Sequence, residues 1–391
     1  MLLPAADQGK SSANQQIAKA TITVMVSIIV GQVMGLVAKG LLAGAFTSSD
    51  LDAFFAANRY SETLFNLVAG GALGSAFIPV FTTCLATNQR VIAWKLASSI
   101  ANMLVIVFTA IGILSFFFAD QIVTYLLAPG FNGSQQELTV RLLRILLPTT
   151  VIFGLSGLVM GILNAHQKFL LSALAPSMYQ LGLIFGVVIF AKPFGISGLC
   201  FGALTGAAIH LLIQVPDLVR LPYRQYILIL GWQLPVVREV LILMLPRLLG
   251  VAFVQLNFWL NTYLASGQPE GSLMGINLAF TLMIMPQAAI AQAAAIAALP
   301  TFSAQVAGGK KDEMRSSLAA TLRSVLFLAV PASIGLIILR YPIVQLIYQR
   351  GEFSNASKEL VSWALFWYSL GLIGHCVVEV ISRAFYALHD T

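Results

Sequence analysis

The sequence predicts an all-α, polytopic membrane protein built from two pseudo-symmetric copies of one helical repeat, and three observations carry that prediction. The 391-residue chain is 58% hydrophobic and only 9% charged, with a mean hydropathy of +0.87, so it has too few charges to clothe a water-facing surface. Its apolar stretches exceed the roughly 18 residues needed to cross a hydrocarbon core, and they lack the period-two alternation of outer-membrane strands. Finally, Ala72 to Phe81 returns loosely as Ala293 to Phe302, and Pro129-Gly130-Phe131 as Arg350-Gly351-Glu352-Phe353. Pro79 and Pro300, like Gly130 and Gly351, stand 221 residues apart. A duplicated half of this kind is the mark of many secondary transporters.

Ten spans follow in order, at about 17–46, 52–86, 91–119, 139–164, 170–191, 195–219, 237–265, 271–305, 315–339 and 357–388. The first follows a polar leader, residues 1–16, and lacks the short core and small-residue cleavage site of a signal peptide, so it is expected to stay in the mature protein. Residues 17–219 form a first lobe of six helices. Residues 220–236, with Pro222, Trp232 and Pro235, read as a cytoplasmic interlobe linker carrying a short interfacial amphipathic stretch around Tyr223 to Leu230. Residues 237–391 supply four helices of a second lobe, which is expected to be truncated because the 221-residue offset maps Thr391 back near Leu170, just before the fifth span. Apolar stretches at Gln121 to Pro129 and Tyr341 to Gln349 are expected to be matched interfacial helices. Glycines four apart, as at Gly182/Gly186 and Gly198/Gly202/Gly206, suit close helix packing. Gly35, Gly71, Pro79, Pro246 and Pro300 are packing or hinge candidates.

Charge placement sets the orientation. Of the 22 Lys and Arg, 13 lie in the leader and even-numbered connections and 6 on the opposite side, which places the N-terminus in the cytoplasm. The net charge of +7 then reads as a collar facing anionic lipid headgroups and calls for no nucleic acid. Cys84, Cys200 and Cys376 lack paired spacing and read as small core residues. The four histidines lack metal spacing, and no nucleophile elbow, phosphate loop or paired carboxylates appear, so neither an enzyme, a metal nor a cofactor is expected.

Charges inside an apolar region normally face a water-filled cavity or a partner. Lys39, Arg59 and Arg247 are the three such cations. Gln32, Gly35 and Lys39 share one helix face at i, i+3 and i+7, and Gln32, Lys39, Arg59 and Arg247 are the substrate-binding candidates. The plainer alternatives are snorkelling for Lys39 and Arg247 and an ion pair with Glu62 for Arg59. Asp52 and Glu62 are entrance or ion-pair candidates. With so few carboxylates in the spans, an anionic substrate suits the chain better than cation-coupled drug export.

Asp52-Ala53-Phe54-Phe55-Ala56-Ala57-Asn58-Arg59, Leu67 to Phe81, Ala128-Pro129-Gly130-Phe131, Gly161-Ile162-Leu163-Asn164-Ala165, Ala175-Pro176, Tyr348 to Ser354 and Arg383-Ala384-Phe385-Tyr386-Ala387 together resemble the MurJ/MviN family of lipid II flippases. The resemblance implies the two-lobed fold of the multidrug/oligosaccharidyl-lipid/polysaccharide (MOP) exporters. It also implies movement of undecaprenyl-pyrophosphate-linked muropeptide from the inner to the outer leaflet of the bacterial cytoplasmic membrane by alternating access. The implied partners are that glycan peptide, membrane lipids and cell-wall synthesis proteins. The family's arginines fall near Gln32 and Ala38-Lys39, at about Phe65 and at about Thr281, so Lys39 alone keeps a cation there. The competing expectations are a flippase for another polyprenyl-linked glycan and a non-transporting remnant or scaffold.

Overall fold

The computed structural model describes the backbone of residues 5–388 and the side chains of residues 24–67, 73, 74 and 76–388. Among them, ten helices run in chain order: α1 (Ala5–Ala45), α2 (48–86), α3 (Arg90–Phe117), α4 (Gly133–Ala165), α5 (Phe169–Phe194), α6 (Ile196–Val219), α7 (Pro235–Ser266), α8 (Ser272–Ala307), α9 (Lys311–Tyr348) and α10 (Asn355–Ala387). Nine described helical segments, one in each of these helices except α2, are long and apolar enough to cross a membrane. The chain is a multi-pass membrane protein. In α2 the central side chains, at 68–72 and 75, lie outside the described residues.

The repeat reappears in the helix boundaries. Ala45 and Ser266 end α1 and α7, Ala86 and Ala307 end α2 and α8, and Arg90 and Lys311 begin α3 and α9, each pair 221 residues apart. Even the caps recur. The Asn132 side chain accepts from the Gln135 N–H at the start of α4, and the Ser354 hydroxyl accepts from the Ser357 N–H at the start of α10, each satisfying an orphan helix donor. Both α2 and α8 contain widened π turns, Asn66–Phe77 and Ala288–Gln292, upstream of Pro79 and Pro300. Such turns accommodate backbone groups that a helical proline disrupts.

Two compact units result. The first holds the chain through Met34 together with Ser49–Glu270, and the second holds Gly35–Ser48 with the chain from Gly271 onward. In the first, Phe77, Phe81, Trp94, Leu96, Phe108, Leu158 and Ile162 form a core that also takes in Val237 and Val240 of α7. The α5–α6 pair meets through glycine: a Cβ on Gly202 would strike the Gly186 backbone and the Gly182 carbonyl. Cys84, Cys200 and Cys376 are free and buried, as small core residues. His210 is also core, its Nδ1 2.6 Å from the Ser156 hydroxyl, to which the Gln214 amide donates at 2.7 Å. In the second unit, Met283, Ala291, Val325, Leu372 and Val380 join α8, α9 and α10, and the fully buried Tyr348 donates to the Leu278 carbonyl at 3.1 Å.

Each unit takes the end of a helix whose sequence belongs to the other repeat. In the first unit, the loop after α3 seats Gly130 against the end of α7, where its N–H donates to the Ser266 hydroxyl at 3.1 Å. A Cβ there would overlap Ser266 and Gly267 backbone. In the second, the loop after α9 seats Gly351 against the end of α1, and the Glu352 N–H donates to the Gly44 carbonyl at 3.1 Å. Gly351 has φ +56°, so glycine answers both the left-handed backbone and the close approach.

Two expectations change. Residues 224–230 carry no helix. They run without regular structure along α3, where the Asn102 amide donates to the Ile227 and Ile229 carbonyls at 3.1 and 2.8 Å and the Ile227 N–H donates to Ser98. These bonds satisfy the backbone without a helix. The two loops expected to match also differ. A short helical piece, 119–127, follows a break at Phe118, whereas α9 continues unbroken to Tyr348 through Pro342.

Replacing Gly202 by Val should lower the thermal unfolding temperature of the purified protein, an overpacking cost of about 1–3 kcal/mol. Gly112→Val, where an added Cβ meets open space, should leave it nearly unchanged. Equal shifts in the two variants would contradict the close α5–α6 contact.

Candidate functional site

The first unit gathers a polar cluster on the face of α2. Four residues of one helical stretch, Asn58, Arg59, Glu62 and Thr63, take partners from α5 and α7. The Arg59 guanidinium donates to Glu62 Oε2 at 2.9 Å and lies over the Phe258 ring, 5.0 Å from its centroid. The Asn58 amide donates to the other Glu62 oxygen at 2.8 Å, and the Tyr179 hydroxyl donates to the Asn58 carbonyl oxygen at 3.1 Å. One turn further, Thr63 donates to the Arg59 carbonyl at 2.8 Å and accepts from the Trp259 indole N–H at 2.7 Å. The helical period makes this possible, because residues three and four apart stack on one face.

The cluster settles what the Arg59 charge does at rest. Its side chain is 13% exposed and that of Glu62 42%, so the cation is largely withdrawn from solvent while its partner stays accessible. The pair carries no net charge, and its field on a distant anion is correspondingly short-ranged. Phe258 adds an aromatic face that favours a guanidinium.

The remaining candidates are spread out. On α1, Gln32 and Lys39 are half-buried and Gly35 is buried; Lys39 is engaged by other groups. Asp52, near the start of α2, is 2% exposed and likewise engaged. Arg247 follows Pro246 within α7. It is exposed and makes no hydrogen bond or ion pair among the described residues. Arg59 and Arg247 are not brought together, since Phe258, on which Arg59 lies, is 11 residues beyond Arg247 along α7, about 17 Å of helix. Pro79 and Pro300 are exposed. Gly71 falls in the widened stretch of α2, and its surroundings lie outside the described residues. Glu379, on α10, pairs with Arg383 at 3.0 Å.

Sequence reasoning reached Arg59 and Glu62 through their spacing but missed Asn58, Thr63, Tyr179, Phe258 and Trp259. The local signal was present in the polar pairs flanking the Arg59–Glu62 turn. The α7 partners, nearly 200 residues away, left none.

A family model described as Lipid II flippase MurJ matches residues 42–391. The probable lipid II flippase MurJ of Vibrio cholerae serotype O1 is 29% identical over 97% of this chain and 74% of its own length. The lipid II flippase MurJ of Burkholderia cenocepacia is 27% identical over 95% of this chain and 73% of its own. Among solved structures, a lipid II flippase MurJ in an inward closed conformation superposes with a TM-score of 0.83 at 25% identity, covering 95% of this chain and 77% of that one. An inward-facing multidrug resistance MATE family transporter of the MOP superfamily gives a TM-score of 0.75 at 16% identity over 94% and 86%, a likeness of fold.

A double-mutant cycle of Arg59→Ala and Glu62→Ala should give a coupling energy of about 0.5–3 kcal/mol in detergent unfolding. The two losses adding independently would mean that the pair contributes nothing to stability.

Proposed function

The chain belongs to the lipid II flippase MurJ family and is a multi-pass lipid II transporter; we propose that it carries undecaprenyl-pyrophosphate-linked muropeptide from the inner to the outer leaflet of the bacterial cytoplasmic membrane by alternating access. The observation that carries this reading is the family match over residues 42–391, joined to a fold whose helices repeat in register. In this reading no covalent bond is made or broken, no cofactor is required, and the N-terminus is cytoplasmic.

The physical problem is the head group. A pyrophosphate-linked glycan peptide cannot enter some 30 Å of hydrocarbon without losing its hydration, so the protein must offer a polar path with compensating charge. We assign that compensation first to Arg247 and Lys39, with Gln32 beside Lys39 as a neutral donor. Arg59 joins them when Glu62 yields its side of the pair to the substrate. Asp52 and Glu62 would then set the entrance, and Gly35, Gly71, Pro79, Pro246 and Pro300 would be the points at which helices pack or bend. Residues 17–219 and 237–391 are proposed as the two lobes of the repeat, joined through 220–236, and cell-wall synthesis proteins as partners on delivery.

Expression of the gene in a strain depleted of its own lipid II flippase should restore growth. Failure despite full membrane insertion would assign the chain to another polyprenyl-linked glycan or to a non-transporting role. In the rescued strain, Arg247→Ala should lower lipid II exposure at the outer face by tenfold or more, the loss of one charge-assisted contact of about 1.5–3 kcal/mol. Arg247→Lys should retain most of it. Lys310→Ala, removing an exposed cation paired with Glu313 at 2.9 Å, should have no effect.

A further inference from the structure

A second charged site lies within the first unit, where the end of α3 meets the start of α4. A cavity of about 470 Å³ is lined there by Phe116, Asp120, Glu137, Val140, Arg141 and Arg144, a volume within the usual range for small-molecule sites. Its floor is fixed. Arg144 donates to Asp120 Oδ2 at 2.8 Å and to the Phe116 carbonyl at 3.2 Å, and lies over the Phe116 ring. Its other two charges are open. Glu137 and Arg141 are four apart on α4, the spacing at which such residues ordinarily pair. Yet both line the cavity, and neither makes a hydrogen bond or ion pair among the described residues. Next in sequence to Phe116, and in the short helical piece that follows, Phe117, Phe118 and Tyr125 are 71%, 54% and 71% exposed. That belt of aromatic rings is what a membrane–water boundary selects.

An open cation and an open anion in one interfacial cavity complement a zwitterion. We propose that this cavity binds a phosphoethanolamine phospholipid, with its phosphate on Arg141, its primary ammonium on Glu137 and its acyl chains along the Phe117–Phe118 face. A guanidinium takes phosphate through paired N–H donors, and a carboxylate accepts directly from an ammonium. A choline head group has no N–H to donate to Glu137. A glycerol head group brings no cation, and a second phosphate would face Asp120 and Glu137.

The test is lipid binding by the intact purified protein in native mass spectrometry, with matched-chain phosphatidylethanolamine, phosphatidylcholine and phosphatidylglycerol in competition. The wild type should retain one phosphatidylethanolamine several-fold over either competitor. Glu137→Gln should abolish the preference over phosphatidylcholine, and Arg141→Ala should remove the bound lipid. Both positions are exposed, so the variants should fold, and an unchanged unfolding temperature would check this. Equal retention of the three lipids by the wild type, or an undiminished preference in both variants, would overturn the proposal. Soluble glycerophosphoethanolamine binding as tightly as the lipid would overturn the assignment to a membrane lipid.

Discussion

A helix end and the loop packed on it must approach closely enough to share hydrogen bonds, and that constraint governs how this chain is put together. The end of α1 presents the Gly44 carbonyl, which accepts from the Glu352 N–H, and the end of α7 presents the Ser266 hydroxyl, which accepts from the Gly130 N–H. Each loop donor comes from the repeat to which the helix does not belong in sequence. Glycine at 130 and 351 lets the backbones approach closely enough for these bonds to form. The compact units follow the same exchange: the last turns of α1 are counted with α8–α10, and α7, with Val237 and Val240 in the core, is counted with α2–α6.

The same exchange builds the polar cluster. Because α7 lies within the first unit, Phe258 and Trp259 cover Arg59 and Thr63, while Tyr179 reaches in from α5. A cation on α2 is thereby tied through a chain of hydrogen bonds and a ring face to two other helices. Any displacement of α7 relative to α2 must disturb the donor to Thr63 and the aromatic face under Arg59 together, which couples the contacts of the cluster to helix position.

Much of this was legible in the sequence, for physical reasons that differ by element. The 221-residue offset was readable because duplicated segments keep their turn chemistry, so Pro79 and Pro300, and Gly130 and Gly351, recur at that spacing, with the caps at Asn132 and Ser354 one residue out of step. The Arg59–Glu62 pair was readable from a three-residue spacing. Lost to sequence reading was everything decided by distant partners. An offset records which segments are alike and says nothing about which ones touch, so the exchange of α1 and α7 left no trace. Tyr223 to Leu230 has the composition of an interfacial amphipathic stretch, yet Asn102 and Ser98 on α3 satisfy its backbone without a helix. Tertiary hydrogen bonds outweighed local pattern there.

The exchanged helix ends also set an order of events during synthesis. The first unit lacks a structural member until α7 has left the ribosome, about two-thirds of the way along the chain, although all its other helices are already in the membrane. Meanwhile the last turns of α1, among the earliest segments made, must wait for the loop after α9. Neither repeat can therefore close as an independent domain as it emerges. On this arrangement helices of both repeats must be inserted before the cross-repeat contacts at Gly130 and Gly351 can form.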